Sequence, residues 1–266
     1  MDVTVDPGDG YFIEGALGYA STSPLFAGLP FTRWEVYALY GSSDDSASDT
    51  APAQAGIALK NDAGSVLVTG GSLGFTTSER ETFEAGLSFE ADTAQSGART
   101  LTFVVSPFVR WMGEDTTTIV TECCTLRRDA EVDTVMYGVL AALEPEAELT
   151  SQVTLVGRIG AGLYGYQSDG TYVSSADIPP AQPVFGAHVS DSDSGIGFRG
   201  VLGAALKITL APGTLLETFA QADYFTDTGL SELANNQPGD TTASRTGSSD
   251  LWEFRSGARV TVSLGQ

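Results

Sequence analysis

The chain has 266 residues, 42% of them hydrophobic, with 13 Lys and Arg against 34 Asp and Glu and a formal charge of −21. Such an acid excess excludes nucleic acid as a partner and leaves cations as the charged partners to expect. The apolar content excludes a disordered chain. No stretch reaches the roughly 18 consecutive apolar residues of a spanning helix, whereas a β-barrel crosses with alternating strands and keeps a mean hydropathy near zero.

The opening MDVTVDPGDG carries no basic n-region and no apolar h-region. An exported chain is therefore expected here in its mature form, with residues 1–9 as a short N-terminal periplasmic segment. Period-2 alternation begins in 11–22 and 33–41, continues weakly through 66–77, and sharpens where Phe83, Ala85, Leu87 and Phe89 oppose Glu84, Ser88 and Glu90. Next, Leu101, Phe103, Val105, Pro107, Val109 and Trp111 oppose Thr100, Thr102, Ser106 and Arg110. Looser segments follow at 134–143 and 153–167. Then Ile196, Phe198, Leu202, Ala204, Leu206, Ile208 and Leu210 oppose Arg199, Val201, Lys207 and Thr209. After a segment at 215–226, Trp252, Phe254, Ala258, Val260, Val262 and Leu264 oppose Glu253, Arg255, Arg259, Thr261 and Ser263. The expectation is one all-β domain over 1–266, a closed antiparallel barrel of about ten strands within a range of about eight to twelve. The range comes from residues 42–64, where GIALKND reads equally as an eleventh strand, half of an extra hairpin or a linker.

Alternation alone does not say whether the apolar rows face a protein core or lipid. Three features favour lipid. The sharper segments outrun the roughly 5 to 6 residues of globular strands and suit tilted strands that need roughly 9 to 11 to cross. Connections alternate between short ones (TAQSG, EPEAEL, APG) and long ones (114–133, 168–194, 227–250), the pattern of short periplasmic turns and long extracellular loops. An even strand number then puts both termini at the periplasmic end. Finally, Trp34, Phe83, Trp111, Phe198, Tyr224 and Trp252 fall in the apolar rows near the long-loop ends, as a membrane-interface belt would, with Tyr11, Tyr40 and Phe89 as the opposite belt.

The runs TLVGRIGAGLYGYQSDG, GFRGVLGAALKITLAPGTLLETFAQADYF and LWEFRSGARVTVSL resemble bacterial outer-membrane β-barrels, particularly the small opacity and porin-like proteins of alphaproteobacteria. The likeness is one of pattern over roughly 11–264. It implies an outer-membrane location, a cleaved signal peptide, insertion by the barrel-assembly machinery, and contact with outer-membrane lipid and lipopolysaccharide. Such barrels usually end on an aromatic residue; here Leu264 is followed by Gly265 and Gln266.

With polar rows inward, the lumen receives Arg33, Arg110, Arg158, Arg199, Lys207, Arg255 and Arg259 against Glu14, Glu35, Glu84, Glu90, Glu144, Glu217, Asp223 and Glu253. The near balance predicts a salt-bridged, largely occluded interior, because an unpaired ion in a narrow lumen loses hydration; Phe108, Tyr164 and Tyr166 point in with it, and Gly160 and Gly162 give them room. A narrow passive channel lined by the same charges, and a secreted soluble β-sandwich, are the alternatives. Nothing reads as an enzyme site or calls for a cofactor. Gly160, Gly162 and Gly165 spell G-x-G-x-x-G, but in a strand with no helix after it. His188 is the sole histidine and has no nameable partner. Asp191 and Asp193, and Asp44, Asp45 and Asp49, are weak calcium candidates; DSDSG has Leu202 where a bidentate Glu would stand. They read as acidic loops, open to divalent cations at a lipopolysaccharide surface. Cys123 and Cys124 are adjacent, which excludes a disulfide framework and assigns them no role.

Overall fold

In the computed structural model the described residues are 3–6, 10–50, 56–61, 64–69, 73–121, 125–177, 185–232 and 245–263. Cys123, Cys124 and Leu264 lie outside them. The strands are β1 (Val3–Asp6), β2 (Gly10–Ala20), β3 (Arg33–Thr50), β4 (Gly56–Asn61), β5 (Gly64–Thr69), β6 (Leu73–Ser96), β7 (Arg99–Thr121), β8 (Thr125–Thr150), β9 (Val153–Asp177), β10 (Phe185–Ala211), β11 (Thr214–Glu232) and β12 (Arg245–Val262). All but β4 and β5 form one antiparallel sheet. Because β1 and β2 pair successive parts of β3, the sheet is nine strands around and nearly closed into a barrel.

Nine falls within the expected range of eight to twelve, one below the count of about ten. The alternation in 66–77 is not one barrel strand: it is divided between β5, which pairs β4 as a separate small hairpin, and the start of β6. The GIALKN part of that run, Gly56–Asn61, is thus half of an extra hairpin. Removing one strand reverses the direction of the two before it, so β1 and β2 descend from the long-hairpin end and β12 finishes at the other end. The start of β1 and the end of β12 therefore lie at opposite ends of the barrel, not together at the short-turn end. Residues 3–6 pair with β3 near the long-hairpin end as a short strand.

The same reversal moves Trp34. It pairs with Tyr19 and Phe89, close to the short turns, while Tyr11 and Tyr40 stand level with Phe83 and Trp111. The long-hairpin belt is therefore Tyr11, Tyr40, Phe83, Trp111, Phe198, Tyr224 and Trp252. Trp34 joins Phe89 in the other belt, where Phe26 and Phe31 pack on Phe89 at 5.8 and 5.9 Å.

The long loops are also corrected. Strands β8, β9 and β10 run 26, 25 and 27 residues, against the roughly 9 to 11 that cross a membrane. Most of 114–133 and 168–194 is continued ladder. Ser, Thr and Asp on both faces hide its alternation, yet Ala130, Val132 and Tyr172 still bury a small inner cluster there. His188 sits on β10 opposite Val173, not in a loop. The far end is shorter: two residues each connect β6 to β7, β8 to β9 and β10 to β11, with Gly97 and Gly213 at φ of 60° and 78°, where a side chain would be strained. Only 21–32, between β2 and β3, is longer.

The outward rows are apolar and open: Ile196 is 76% and Phe254 78% exposed, while inward Asp223 is fully buried. Along β12 the outer row from Trp252 to Val262 spans roughly 25 Å when tilted, the height of a barrel's lipid-facing band.

Candidate functional site

The lumen divides into a plug and a vestibule. The plug begins with the alternation of β7, β10 and β11, which aims Arg110, Arg199, Asp223 and Phe225 inward, where all are at most 3% exposed. A chain of opposite charges then crosses between strands. Glu253 pairs with Arg110, Arg110 lies 3.3 Å from Glu84, Glu84 lies 3.0 Å from Arg199, Arg199 lies 2.9 Å from Asp223, and Asp223 lies 2.7 Å from Arg255. Tyr37 donates to Glu84 at 3.0 Å and Gln221 to Asp223 at 2.7 Å. Every charge inside this chain has two partners, which is what makes burial of so many ions tolerable.

Apolar mass fills the space between them. Phe225 lies between two guanidiniums, with Arg110 at 4.6 Å and Arg199 at 5.0 Å from the ring centre, and Tyr164 meets its edge. Arg199 also covers Phe108 at 4.8 Å. Met112, Met136, Leu140, Tyr166, Val201 and Leu251 complete the cluster. Room for Tyr164 and Tyr166 comes from Gly197 and Gly195 on β10, where a Cβ would lie 2.5 and 2.9 Å from those rings. Gly160 and Gly162, expected to give it, face the backbone of β8 instead.

Toward the short turns the lumen widens into a vestibule of about 410 Å³. Glu14, Arg33, Glu35, Glu90, Glu144, Arg158, Lys207, Glu217, Arg255 and Arg259 all line it, as the alternation predicted. Its ion pairs are more exposed than those of the plug: Arg33 with Glu90 and Asp92 at 2.8 Å, Lys207 with Glu146 at 2.6 Å, Arg158 with Glu144 at 3.6 Å, and Arg259 with Glu14. Glu146 was missed because EPEAEL reads as a turn; it continues β8, and the turn is Ser151 and Gln152.

On the outside, belt aromatics reach acids just beyond the apolar band. Trp111 Nε1 donates to Asp133 at 3.1 Å, Tyr40 to Glu81 at 3.0 Å and Tyr224 to Asp250 at 2.6 Å. This marks where apolar exterior gives way to acidic hairpin.

Asp191 and Asp193 lie on β10 rather than in a loop. Asp193 accepts hydrogen bonds from Tyr166 at 3.0 Å and from the Ser194 N–H at 2.8 Å, so its oxygens are engaged by protein. Among the described residues no three His, Cys, Asp or Glu side chains group closely enough to hold a metal. Compared with known proteins, the chain matches no family, no curated protein and no solved structure.

Proposed function

We propose that this protein is a non-catalytic β-barrel of a bacterial outer membrane, closed to solute flow by its plug, that displays acidic hairpins on the cell surface. The observation that carries the reading is the inverted partition of side chains: open apolar rows outside, paired ions and aromatics inside. A water-soluble barrel would gain nothing by exposing Phe254, Ile196, Leu202 and Leu163 while burying Arg110 and Arg199. Aromatic belts at both margins of the band support a lipid setting, and lipopolysaccharide and divalent cations are the contacts the hairpins would meet there. Insertion would follow the barrel-assembly route that the resemblance implies.

Planar-bilayer recording tests closure. The wild-type chain is expected to give no steady openings, and the double variant Phe225→Ala, Tyr164→Ala, which empties the apolar plug, is expected to give them. Steady openings in the wild type would establish the narrow-channel reading in place of this one.

A further inference from the structure

We infer that residues 21–32, which join β2 to β3, form a strap on the outside of the barrel that lies in the headgroup boundary of the periplasmic leaflet, with Phe26 and Leu29 against lipid. The inference rests on the membrane-spanning reading above and adds to it a lipid contact made by a segment that is not a strand. It starts from composition: in a chain of formal charge −21, residues 15–32 carry no charged side chain. Where the other described short-end connections have two residues, this one holds Leu25, Phe26, Leu29 and Phe31.

Local geometry builds the strap and folds it outward. The Ser21 N–H donates to the Thr32 carbonyl and the Leu25 N–H to the Phe31 carbonyl, both at 2.8 Å, so the two limbs run side by side. At the tip the Leu29 N–H donates to the Phe26 carbonyl at 3.2 Å, across a turn whose third residue, Gly28, has a φ of 82°; a turn of that type favours glycine there. Phe26 and Phe31 both pack on Phe89, which belongs to the outward row of β6, so the tip lies outside the sheet and not in the lumen. One step further along that row Ala91 is fully buried, whereas Leu87 and Phe83 above are 40 and 47% exposed. Phe26 and Leu29 are themselves 46 and 49% exposed.

Strand length says why lipid is what the strap meets. Tyr40 on β3 stands level with Phe83 and Trp111. From there the outward apolar row of β3 runs only to Trp34, level with Phe89 and Val105, whereas that of β7 continues through Phe103 to Leu101. The difference is roughly 10 Å of height for strands tilted about 40°. Below β3 the lipid-facing band would fall short by that amount, and the strap supplies apolar surface there. Irregular backbone is not tolerated in the hydrocarbon itself, which sets the depth at the boundary. The N–H groups of Ser21, Ser23, Leu25, Leu29 and Thr32 are bonded within the protein, Pro24 and Pro30 have none, and the others reach headgroups and water. From Pro24 to Phe31 no side chain carries a charge or a hydrogen-bonding group that would specify a protein partner.

The test uses the full chain with Cys123→Ser and Cys124→Ser, a nitroxide attached at Leu29→Cys or, separately, at Ser151→Cys in the β8–β9 turn, reconstituted in vesicles of phosphatidylethanolamine and phosphatidylglycerol. Power-saturation spin resonance compares collisions with oxygen, which concentrates in lipid, against a neutral water-soluble nickel chelate. The oxygen-to-nickel ratio at residue 29 is expected to be at least threefold that at residue 151. If Leu29→Cys loses the folded-barrel mobility on unheated gels, Ala27→Cys at the exposed tip carries the label and the same difference is expected. Equal ratios at the strap and at residue 151 overturn the inference, since the strap is then in water. Low collision with both reagents at the strap also overturns it, because a protein partner or a second copy then covers the tip. Either result in a chain that co-floats with the vesicles leaves the membrane reading standing; a chain that does not co-float overturns that reading as well.

Discussion

The plug and the vestibule are built from the same residue types, Arg and Glu on inward rows, and yet one is buried and the other open to solvent. The difference lies in how many partners each charge has and in what fills the space between. In the plug, Glu84 and Asp223 each bridge two arginines, and Phe225 and Phe108 lie against those guanidiniums. In the vestibule the pairs of Arg33, Lys207 and Arg158 lie nearer solvent, and Tyr37 and Phe219 are the aromatics among its lining. Near-neutral charge balance therefore does not by itself bury the ions; apolar mass between the pairs accompanies their burial.

Breaking the plug should cost most. Arg110→Leu leaves Glu84 and Glu253 short of a partner in a site where Arg110 is 1% exposed, and removing one member of a buried ion pair costs roughly 3 to 5 kcal/mol. Urea unfolding of the detergent-folded barrel should show a loss of that order, and an unchanged midpoint would mean that the chain of charges contributes nothing to stability. Lys207→Met is the matching change in the vestibule. Its pair with Glu146 leaves both side chains 27% exposed, so a cost of less than about 1 kcal/mol is expected from the same measurement. Equal costs for the two variants would erase the distinction between the regions.

The smallest effect belongs to the projecting hairpin. Hydrogen bonds from Arg127 hold the Asp129 carboxyl below its ordinary range. A depressed folded value means the contribution is present above the carboxyl's ordinary range and lost as pH falls through the depressed one. Amides of β7 and β8 around Asp129 should accordingly lose protection, measured against their intrinsic exchange rate at each pH, on acidification in the wild type. In Asp129→Asn protection should already be lower at neutral pH and respond less to acid.

The local rules were legible in the sequence. Alternation placed Glu84, Arg110, Arg199, Asp223, Glu253, Arg255 and the vestibule ions inside, and put Phe83, Trp111, Phe198, Tyr224 and Trp252 in one belt, because a strand's side-chain period of 2 is set by its own backbone. Inward apolar residues such as Met112, Met136 and Phe225 escaped notice, since an apolar residue on a polar row carries no signal until its facing neighbours are known.

Strand number, direction and partnership required the fold. Whether 66–77 crosses, and so which end Trp34 occupies, depends on pairing with β4, a contact the segment's own pattern does not encode. The continued ladders of β7 to β10 are equally non-local, because polar residues on both faces extend a strand only when a neighbouring strand supplies the hydrogen bonds. By itself the sequence determined an all-β chain with apolar rows on one face and balanced ions on the other. Only the tertiary structure decided that the plug forms at one height, that the vestibule stays open at the other, and that nine strands make up the barrel, since each follows from which strands meet.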